Sequence, residues 1–169
     1  MTLLALSTLL TGCAYKFKGT PYEPPQPAGE ISGFNWDNTP FRLSDLRNKV
    51  VLVFFGYTNC PDVCPTTLAE MRVLYSQLGA AAGSVQFVFV SVDPERDTVE
   101  QLAQYIPAFN DKFYGVHVDP ITLEQVKKDY GVVAEKRPYE GSESATKYSV
   151  DHTARLYGIG PRGNLAVSF

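Results

Sequence analysis

Three short apolar runs in this chain predict buried β-strands. Residues 50–55 (VVLVFF) and 85–92 (VQFVFVSV) are almost continuously apolar and rich in β-branched side chains. Runs of this kind are typical of strands that are covered on both faces. Residues 113–118 are a third strand candidate. These strands therefore predict a sheet that other elements cover on both sides.

Helices are predicted between and after these strands. Residues 66–81 carry apolar side chains at helical spacing, at Leu68, Met71, Leu74, Tyr75 and Leu78. A pattern like a capping box at 97–100 precedes a second helix that extends to about residue 106. A third helix is predicted at 122–130, and Gly131 is expected to end it.

Hairpins are predicted at the two ends of this region. Residues 34–46 (FNWDNTPFRLSDL) predict a short hairpin that leads into a turn of helix. Residues 153–159 and 164–169 flank the turn sequence GPRG and predict a terminal hairpin. The alternation of strands and helices predicts a largely parallel sheet, which the antiparallel hairpin makes mixed. The pattern fits an α/β thioredoxin-like fold, with a central mixed sheet flanked by helices.

Length and composition restrict the class of protein. The chain has 169 residues, of which 44% are hydrophobic and 20% are charged, and this fits one globular domain. The formal net charge of -3 gives no basic excess, so we expect no nucleic-acid partner. No apolar run reaches the roughly 20 residues of a membrane-spanning helix. The polar residues 135–149 predict one flexible loop inside the domain.

The first residues predict a targeting signal rather than a part of the domain. Residues 1–13 (MTLLALSTLLTGC) form a short apolar run that ends in a sequence similar to the lipobox of bacterial lipoproteins, although no Lys or Arg precedes Cys13. Lipidation of Cys13 would anchor the protein to a membrane on the extracytoplasmic side of the cell envelope. The alternative is a buried apolar arm with an incidental cysteine. Residues 14–33 are rich in proline and predict an extended tether, which leaves 34–169 as the domain.

The loop at 56–65 (GYTNCPDVCP) carries the strongest chemical signal. Cys60 and Cys64 follow a buried strand directly and lie at the start of a helix. Unpaired N–H groups and the helix dipole favour thiolates at that position, so we expect both cysteines to be more acidic than a free thiol. Residues four apart share one helix face, so the two sulfurs can bind one metal ion or form a disulfide. The alternative is a pair of structural core cysteines.

His152 extends this set of candidate ligands. It lies in residues 150–153 (VDHT), just before a predicted strand. A single histidine is more often structural than a ligand. Two thiolates and an imidazole, however, form a soft three-coordinate donor set that suits copper. The other histidine, His117, is interpreted as an ordinary residue of the third strand.

Acidic residues near the cysteine loop are harder to interpret. Asp62 lies between the two cysteines, where its charge opposes a second thiolate. Asp93 follows the second strand at the end of the sheet where α/β folds place their sites, and it either neighbours the loop or caps its own turn. Glu95, Arg96 and Asp97 are interpreted as solvated charges and a helix cap.

Three segments together resemble the Sco/SenC family of copper-binding, thioredoxin-like proteins. They are residues 57–65 (YTNCPDVCP), 91–98 (SVDPERDT) and 150–164 (VDHTARLYGIGPRGN). The resemblance covers most of 34–169. It implies that Cys60, Cys64 and His152 bind one copper ion, as copper(I), copper(II) or both. It also implies a helix beyond residue 169.

The same resemblance implies a role in the assembly of respiratory oxidases. Members of the family deliver copper to the dinuclear site of cytochrome c oxidase subunit II, or they reduce its cysteines. The expected partner is therefore subunit II or another copper protein. The expected activity is that of a metallochaperone rather than an enzyme with turnover.

Two other functions are compatible with the cysteines. A thiol-disulfide oxidoreductase would use Cys60 and Cys64 as its redox pair, and a dithiol can combine this chemistry with copper binding. Such an enzyme needs no distant histidine, so His152 favours copper. A peroxiredoxin-like peroxidase is less compatible, because it leaves Cys64 and His152 without a role.

Overall fold

The computed structural model describes residues 18–140 and 147–169. In these residues the chain forms strands and three α-helices in the order β1 (Thr20–Pro27), β2 (Ser32–Asn35), β3 (Pro40–Arg42), β4 (Val50–Gly56), α1 (Val63–Leu78), β5 (Val85–Ser91), α2 (Val99–Tyr105), β6 (Tyr114–His117), α3 (Pro120–Tyr130), β7 (Ala134–Pro138), β8 (Tyr148–His152), β9 (Leu156–Ile159) and β10 (Asn164–Ser168). Short 3-10 helices occupy Leu43–Leu46 and Gly79–Ser84.

Eight of the strands form one mixed sheet with the order β1-β10-β9-β4-β5-β6-β2-β3. Strands β4, β5 and β6 are parallel, and β9 and β10 form the antiparallel terminal hairpin next to β4. The α/β class, the mixed sheet and the hairpin are therefore as predicted. The central strands are apolar on both faces because α1 and the other helices cover the sheet.

Helix α1 begins earlier than the pattern predicts, at Val63 rather than near residue 66. Its buried residues are Cys64, Leu68, Met71 and Tyr75. Their spacing places all four on one face, which packs against the sheet. Cys64 lies in the first turn of α1 and on its buried face, so it is part of the hydrophobic core rather than of an open loop.

The caps of the other helices partly match the sequence. Thr98, not Asp97, caps α2, and its hydroxyl accepts a hydrogen bond from the N–H of Gln101. Gly131 ends α3 in the left-handed conformation with φ 63°, as expected.

The prediction of an extended tether at 14–33 is wrong over most of that range. Strand β1 pairs with β10, from Thr20 opposite Ser168 to Pro27 opposite Asn164, and Ile31 is fully buried. Prolines fit this strand because β1 lies at the edge of the sheet, where one side needs no N–H donors. Residues 20–33 therefore belong to the domain. Residues 1–17, including the predicted lipid site Cys13, lie outside the described residues.

The predicted flexible loop at 135–149 is also wrong at both ends. Strands β7 and β8 form a separate two-stranded sheet, with Ala134 opposite His152 and Pro138 opposite Tyr148. Strand β7 is mostly exposed and charged, so its sequence has no apolar alternation that identifies a strand. Tyr148 and Val150 alternate inward on β8 and are buried. Residues 141–146 lie outside the described residues.

The burial of Ile31 allows a direct test of whether residues 20–33 belong to the domain. We expect Ile31→Ala to lower the free energy of unfolding by about 2–5 kcal/mol, because it removes a fully buried side chain and leaves a cavity. The control is Ile121→Ala, at a side chain that is 86% exposed and should change stability by no more than about 0.5 kcal/mol. Urea unfolding of both variants measures the difference. Equal, small effects would support a free tether.

Candidate metal centre

The two cysteines lie at the end of β4, one in a loop and one in a helix. Cys60 is 9% exposed and occupies the irregular segment between β4 and α1, where its N–H donates a hydrogen bond of 3.2 Å to the carbonyl oxygen of Tyr57. Cys64 is fully buried in the first turn of α1. Both residues are therefore buried, and Cys60 keeps a small exposed fraction while Cys64 keeps none.

His152, the last residue of β8, reaches the same place. Its Nε2 is 3.5 Å from the Sγ of Cys64. The ligand atoms of Cys60, Cys64 and His152 all lie within 4.8 Å of one another. Two ligands that each bind one ion at about 2.0–2.3 Å are at most roughly 4.5 Å apart. The three side chains therefore fit one small metal ion after only a slight inward movement.

The environment of His152 prepares its Nε2 as a ligand. Nδ1 lies 3.3 Å from the carbonyl oxygen of Thr153, so Nδ1–H donates there and the lone pair remains on Nε2. Burial lowers the pKa of His152 below its ordinary value, which keeps the imidazole neutral at neutral pH. The rings of Phe54 and Tyr57 pack edge-on against it, at centroid distances of 6.1 and 5.6 Å. These contacts fix the orientation of the imidazole.

The acidity of Cys64 is the reverse of the expectation. Burial raises the pKa of the Cys64 thiol, so the predicted increase in acidity is wrong for this residue. The first turn of α1 still offers N–H groups and a positive dipole, but removal of water from a thiolate in the core costs more. Cys64 is therefore a thiol in the metal-free protein, and a metal ion must displace its proton to bind.

Gly56 creates the space for the Cys64 sulfur, a role that the sequence pattern does not predict. A Cβ atom at this position would lie 2.8 Å from the Sγ of Cys64 and 2.8 Å from the Cε2 of Phe89. Both distances are shorter than van der Waals contact. The available signal was a glycine at the end of an apolar strand, directly before the cysteine loop.

Asp97 is a second residue whose role the sequence concealed. It was interpreted as a solvated charge or a helix cap, but it is fully buried. Its carboxylate accepts hydrogen bonds from the N–H of Thr58 at 3.0 Å, the hydroxyl of Thr58 at 2.6 Å and the hydroxyl of Ser91 at 2.7 Å. Burial raises the pKa of this carboxyl group, and these three donors oppose that shift. The residue adjoins the cysteine loop from the end of β5.

Asp93 supports the strand that carries His152 and is not one of the three candidate metal ligands. It is buried, and one of its carboxylate oxygens accepts a hydrogen bond of 2.7 Å from the hydroxyl of Tyr148. Arg96 pairs with Asp93, donates to the carbonyl oxygen of Tyr148 at 2.8 Å and lies 3.7 Å above its ring. Arg96 is therefore packed against β8. Of Glu95, Arg96 and Asp97, only Glu95 is exposed, and it forms an ion pair with Lys136.

The remaining candidates lie outside the cluster of ligand atoms. Asp62 is exposed and precedes α1 without a capping hydrogen bond from its side chain. His117 is a residue of β6, as interpreted, and its Nδ1 lies 2.9 Å from the carbonyl oxygen of Asp97.

Comparison with known proteins identifies the family. The family model described as SCO1/SenC matches residues 22–169. The chain belongs to the SCO1/SenC family. Copper-bound ScoI from Bradyrhizobium japonicum is 34% identical with a TM-score of 0.78, and the match covers 85% of this chain and 88% of that one. Apo Sco1 from Thermus thermophilus is 38% identical with a TM-score of 0.79, and the match covers 94% and 89%. These structures confirm the thioredoxin-like fold.

Longer curated members of the SCO1/SenC family are also similar. The mitochondrial SCO2 homologue of Homo sapiens is 36% identical over 122 residues, which are 71% of this chain and 45% of that protein. The mitochondrial SCO1 homologue 1 of Arabidopsis thaliana is 36% identical over 137 residues, 80% of this chain and 40% of that protein. Across the first curated relatives, this chain spans between 40% and 62% of their length.

The contact between Gly56 and Cys64 predicts an effect on stability and on metal binding in this SCO1/SenC domain. We expect Gly56→Ala to lower the free energy of unfolding by about 1–3 kcal/mol, because the new methyl group must displace the sulfur or the Phe89 ring. Affinity for copper(I) should fall with it. Urea unfolding under reducing conditions and competition with a copper(I) chelator measure the two effects.

The matched control is Gly83→Ala, since a Cβ atom at Gly83 meets nothing within 4 Å. Gly83→Ala should match the wild type in both measurements. If Gly56→Ala also matches the wild type, the sulfur is not confined as described.

Proposed function

We propose that Cys60, Cys64 and His152 bind one copper ion, and that the protein is an assembly factor for the dinuclear copper site of cytochrome c oxidase. The observation that carries the proposal is the convergence of two sulfurs and one imidazole nitrogen within 4.8 Å. Copper-bound ScoI of Bradyrhizobium japonicum, which is 34% identical, supports the choice of metal. The recipient is the one that the Sco/SenC resemblance implies, namely subunit II or another copper protein.

The chemistry of these donors favours copper over harder metals. Thiolates are soft ligands that select copper(I), and a neutral imidazole also suits copper. His152 offers its lone pair without losing a proton, whereas the Cys64 thiol must release one. Copper binding should therefore release protons and strengthen as pH rises.

The difference in burial between the two cysteines suggests how copper leaves the site. Cys60 keeps 9% exposure, and Cys64 has none. An incoming thiolate of the recipient can therefore replace Cys60 first, while Cys64 and His152 still hold the ion. In the alternative function, Cys60 would attack a disulfide of the partner, and Cys64 would then form the Cys60–Cys64 disulfide as the partner becomes reduced.

The test of the proposed site compares reduced and oxidised protein. We expect the reduced protein to take up one copper(I) per chain in competition with a chelator, and the disulfide form to take up none, because a disulfide has no thiolate to offer. Near-unchanged circular dichroism should show that oxidation leaves the fold intact. Stoichiometric tight uptake by the oxidised protein, without cleavage of the disulfide, would exclude this pair as the site.

Substitution of His152 separates copper chemistry from simple thiol exchange. We expect His152→Ala to weaken copper(I) binding only partly, because two thiolates suffice for copper(I), and to alter or abolish the thiolate charge-transfer absorption of copper(II). The rate of exchange with a small disulfide should remain near that of the wild type, since both cysteines stay in place. Ser149→Ala on the same strand is the control for all three assays. Wild-type copper readings in His152→Ala would assign this residue a structural role only.

We also infer that the protein is anchored by lipid at Cys13 on the extracytoplasmic side of a membrane. The sequence of residues 1–13 motivates this inference. A SCO1/SenC family lipoprotein from Bacillus anthracis, 27% identical with a TM-score of 0.73, supports it. In the described parts of the chain, no helix has the length and apolar character to cross a membrane.

Mass spectrometry of protein from the membrane fraction tests the anchor. We expect the mature chain to begin at Cys13 and to carry the added mass of acyl chains. Cys13→Ser should keep the leader attached and leave the protein without lipid. Mature wild-type protein that retains Met1 would contradict the proposal.

A further inference from the structure

The three proposed ligands differ in how the fold holds them. Cys64 lies in α1 with its sulfur against Gly56, and His152 ends β8 between two aromatic rings. Cys60 alone of the three lies outside any strand or helix. Its position must therefore be fixed by contacts of the loop between β4 and α1.

Asp97 supplies the side-chain anchor of this loop. One carboxylate oxygen accepts from the N–H of Thr58 and from the hydroxyl of Ser91, and the other accepts from the hydroxyl of Thr58. Thr58 is two residues before Cys60, and the turn between Tyr57 and Cys60 is closed by the hydrogen bond from the Cys60 N–H. The carboxylate thus holds one side of the turn that carries Cys60.

Asp97 is itself held from two sides. Its N–H donates to the carbonyl oxygen of Asp93 at 2.9 Å, and its carbonyl oxygen lies 2.9 Å from Nδ1 of His117, which donates to it from β6. Ser91, at the end of β5, contacts its carboxylate. The backbone of Asp97 is therefore fixed by the turn that begins at Asp93 and by His117 of β6, and Ser91 adds one hydrogen bond to its carboxylate.

We propose that Asp97 is a positioning residue that holds the Cys60 loop, through Thr58, where the Cys60 sulfur can share a metal ion with Cys64 and His152. This proposal rests on the proposed copper site. It assigns Asp97 no contact with the metal. The carboxylate acts by hydrogen bonds that fix the loop before the metal arrives.

The negative charge of Asp97 should weaken copper(I) binding, whereas its hydrogen bonds to the loop should strengthen it. Variants that separate the charge from the hydrogen bonds therefore test the proposal. A buried negative charge disfavours thiolates nearby, so loss of the charge alone should strengthen copper(I) binding. Asp97→Asn removes the charge but can keep the contacts, because the Thr58 hydroxyl can accept from the new amide. Asp97→Ala removes both the charge and the contacts.

The experiment measures copper(I) affinity by chelator competition in a set of variants. We expect Asp97→Ala to bind roughly 10- to 100-fold more weakly than the wild type, and Asp97→Asn to bind as tightly as the wild type or more tightly. Thr58→Val removes one hydrogen bond to the loop and should weaken binding roughly fivefold. Ser91→Ala is the matched control, since it also removes one hydrogen bond to Asp97 but leaves both bonds to Thr58, and it should match the wild type.

A second measurement needs no metal. Hydrogen exchange at the Cys60 amide of the reduced protein should be faster in Asp97→Ala and Thr58→Val, and equal to the wild type in Asp97→Asn and Ser91→Ala. If the wild type binds no copper, the proposed function fails while this exchange measurement still decides the positioning role.

Two outcomes would overturn the proposal. One is wild-type copper affinity and wild-type exchange in both Asp97→Ala and Thr58→Val. The other is a loss in Asp97→Asn as large as the loss in Asp97→Ala, which would assign the effect to charge. If Asp97→Ala does not fold, Thr58→Val against Ser91→Ala decides the question.

Discussion

The pairing of β4 with its two neighbours is the constraint on which the rest of the structure depends. Strand β4 runs parallel to β5, with Gly56 opposite Ser91, and antiparallel to β9, with Phe54 opposite Leu156. The loop after β4, the segment after β5 and the chain before β9 must therefore meet at one edge of the sheet. The loop after β4 carries the cysteines, the segment after β5 carries Asp97, and the chain before β9 carries His152. A change in this register would separate all of them.

Burial determines the chemical state of the site as well as its shape. The core raises the pKa of the Cys64 thiol and lowers the pKa of His152, so the metal-free site is expected to be neutral at these two positions. In the proposed copper site, a soft metal ion would replace the thiol proton and pair with the resulting negative charge inside a region of low polarity. Cys60 is the less buried of the two cysteines, so it is the one that we expect to exchange with another protein. The proposed copper binding and the alternative thiol exchange would therefore both depend on the difference in burial between Cys60 and Cys64.

The segment between β5 and α2 contacts both the cysteine loop and the strand that carries His152, but it contributes no candidate ligand. Asp97 is tied to the cysteine loop, and Asp93 with Arg96 is tied to Tyr148 at the other end of the strand that carries His152. Both acidic side chains are buried, although runs of charged residues are usually solvated. Their burial is tolerated because hydrogen-bond donors surround each carboxylate. This explains why the segment has charged residues at positions that pack inside the protein.

The sequence by itself determined the elements whose signal is local. Continuous apolar runs identify β4 and β5, the spacing of buried side chains identifies α1, and the two cysteines beside a strand with a distant histidine predict the candidate ligands. Strand β7 and the proline-rich β1 were missed, because their strand character depends on a partner and not on their own pattern. The roles of Gly56 and Asp97 were decided only by the tertiary structure. Gly56 depends on the Cys64 sulfur, which lies across the loop, and Asp97 depends on the Thr58 amide, which lies far away along the chain. No local pattern of residues predicts such contacts.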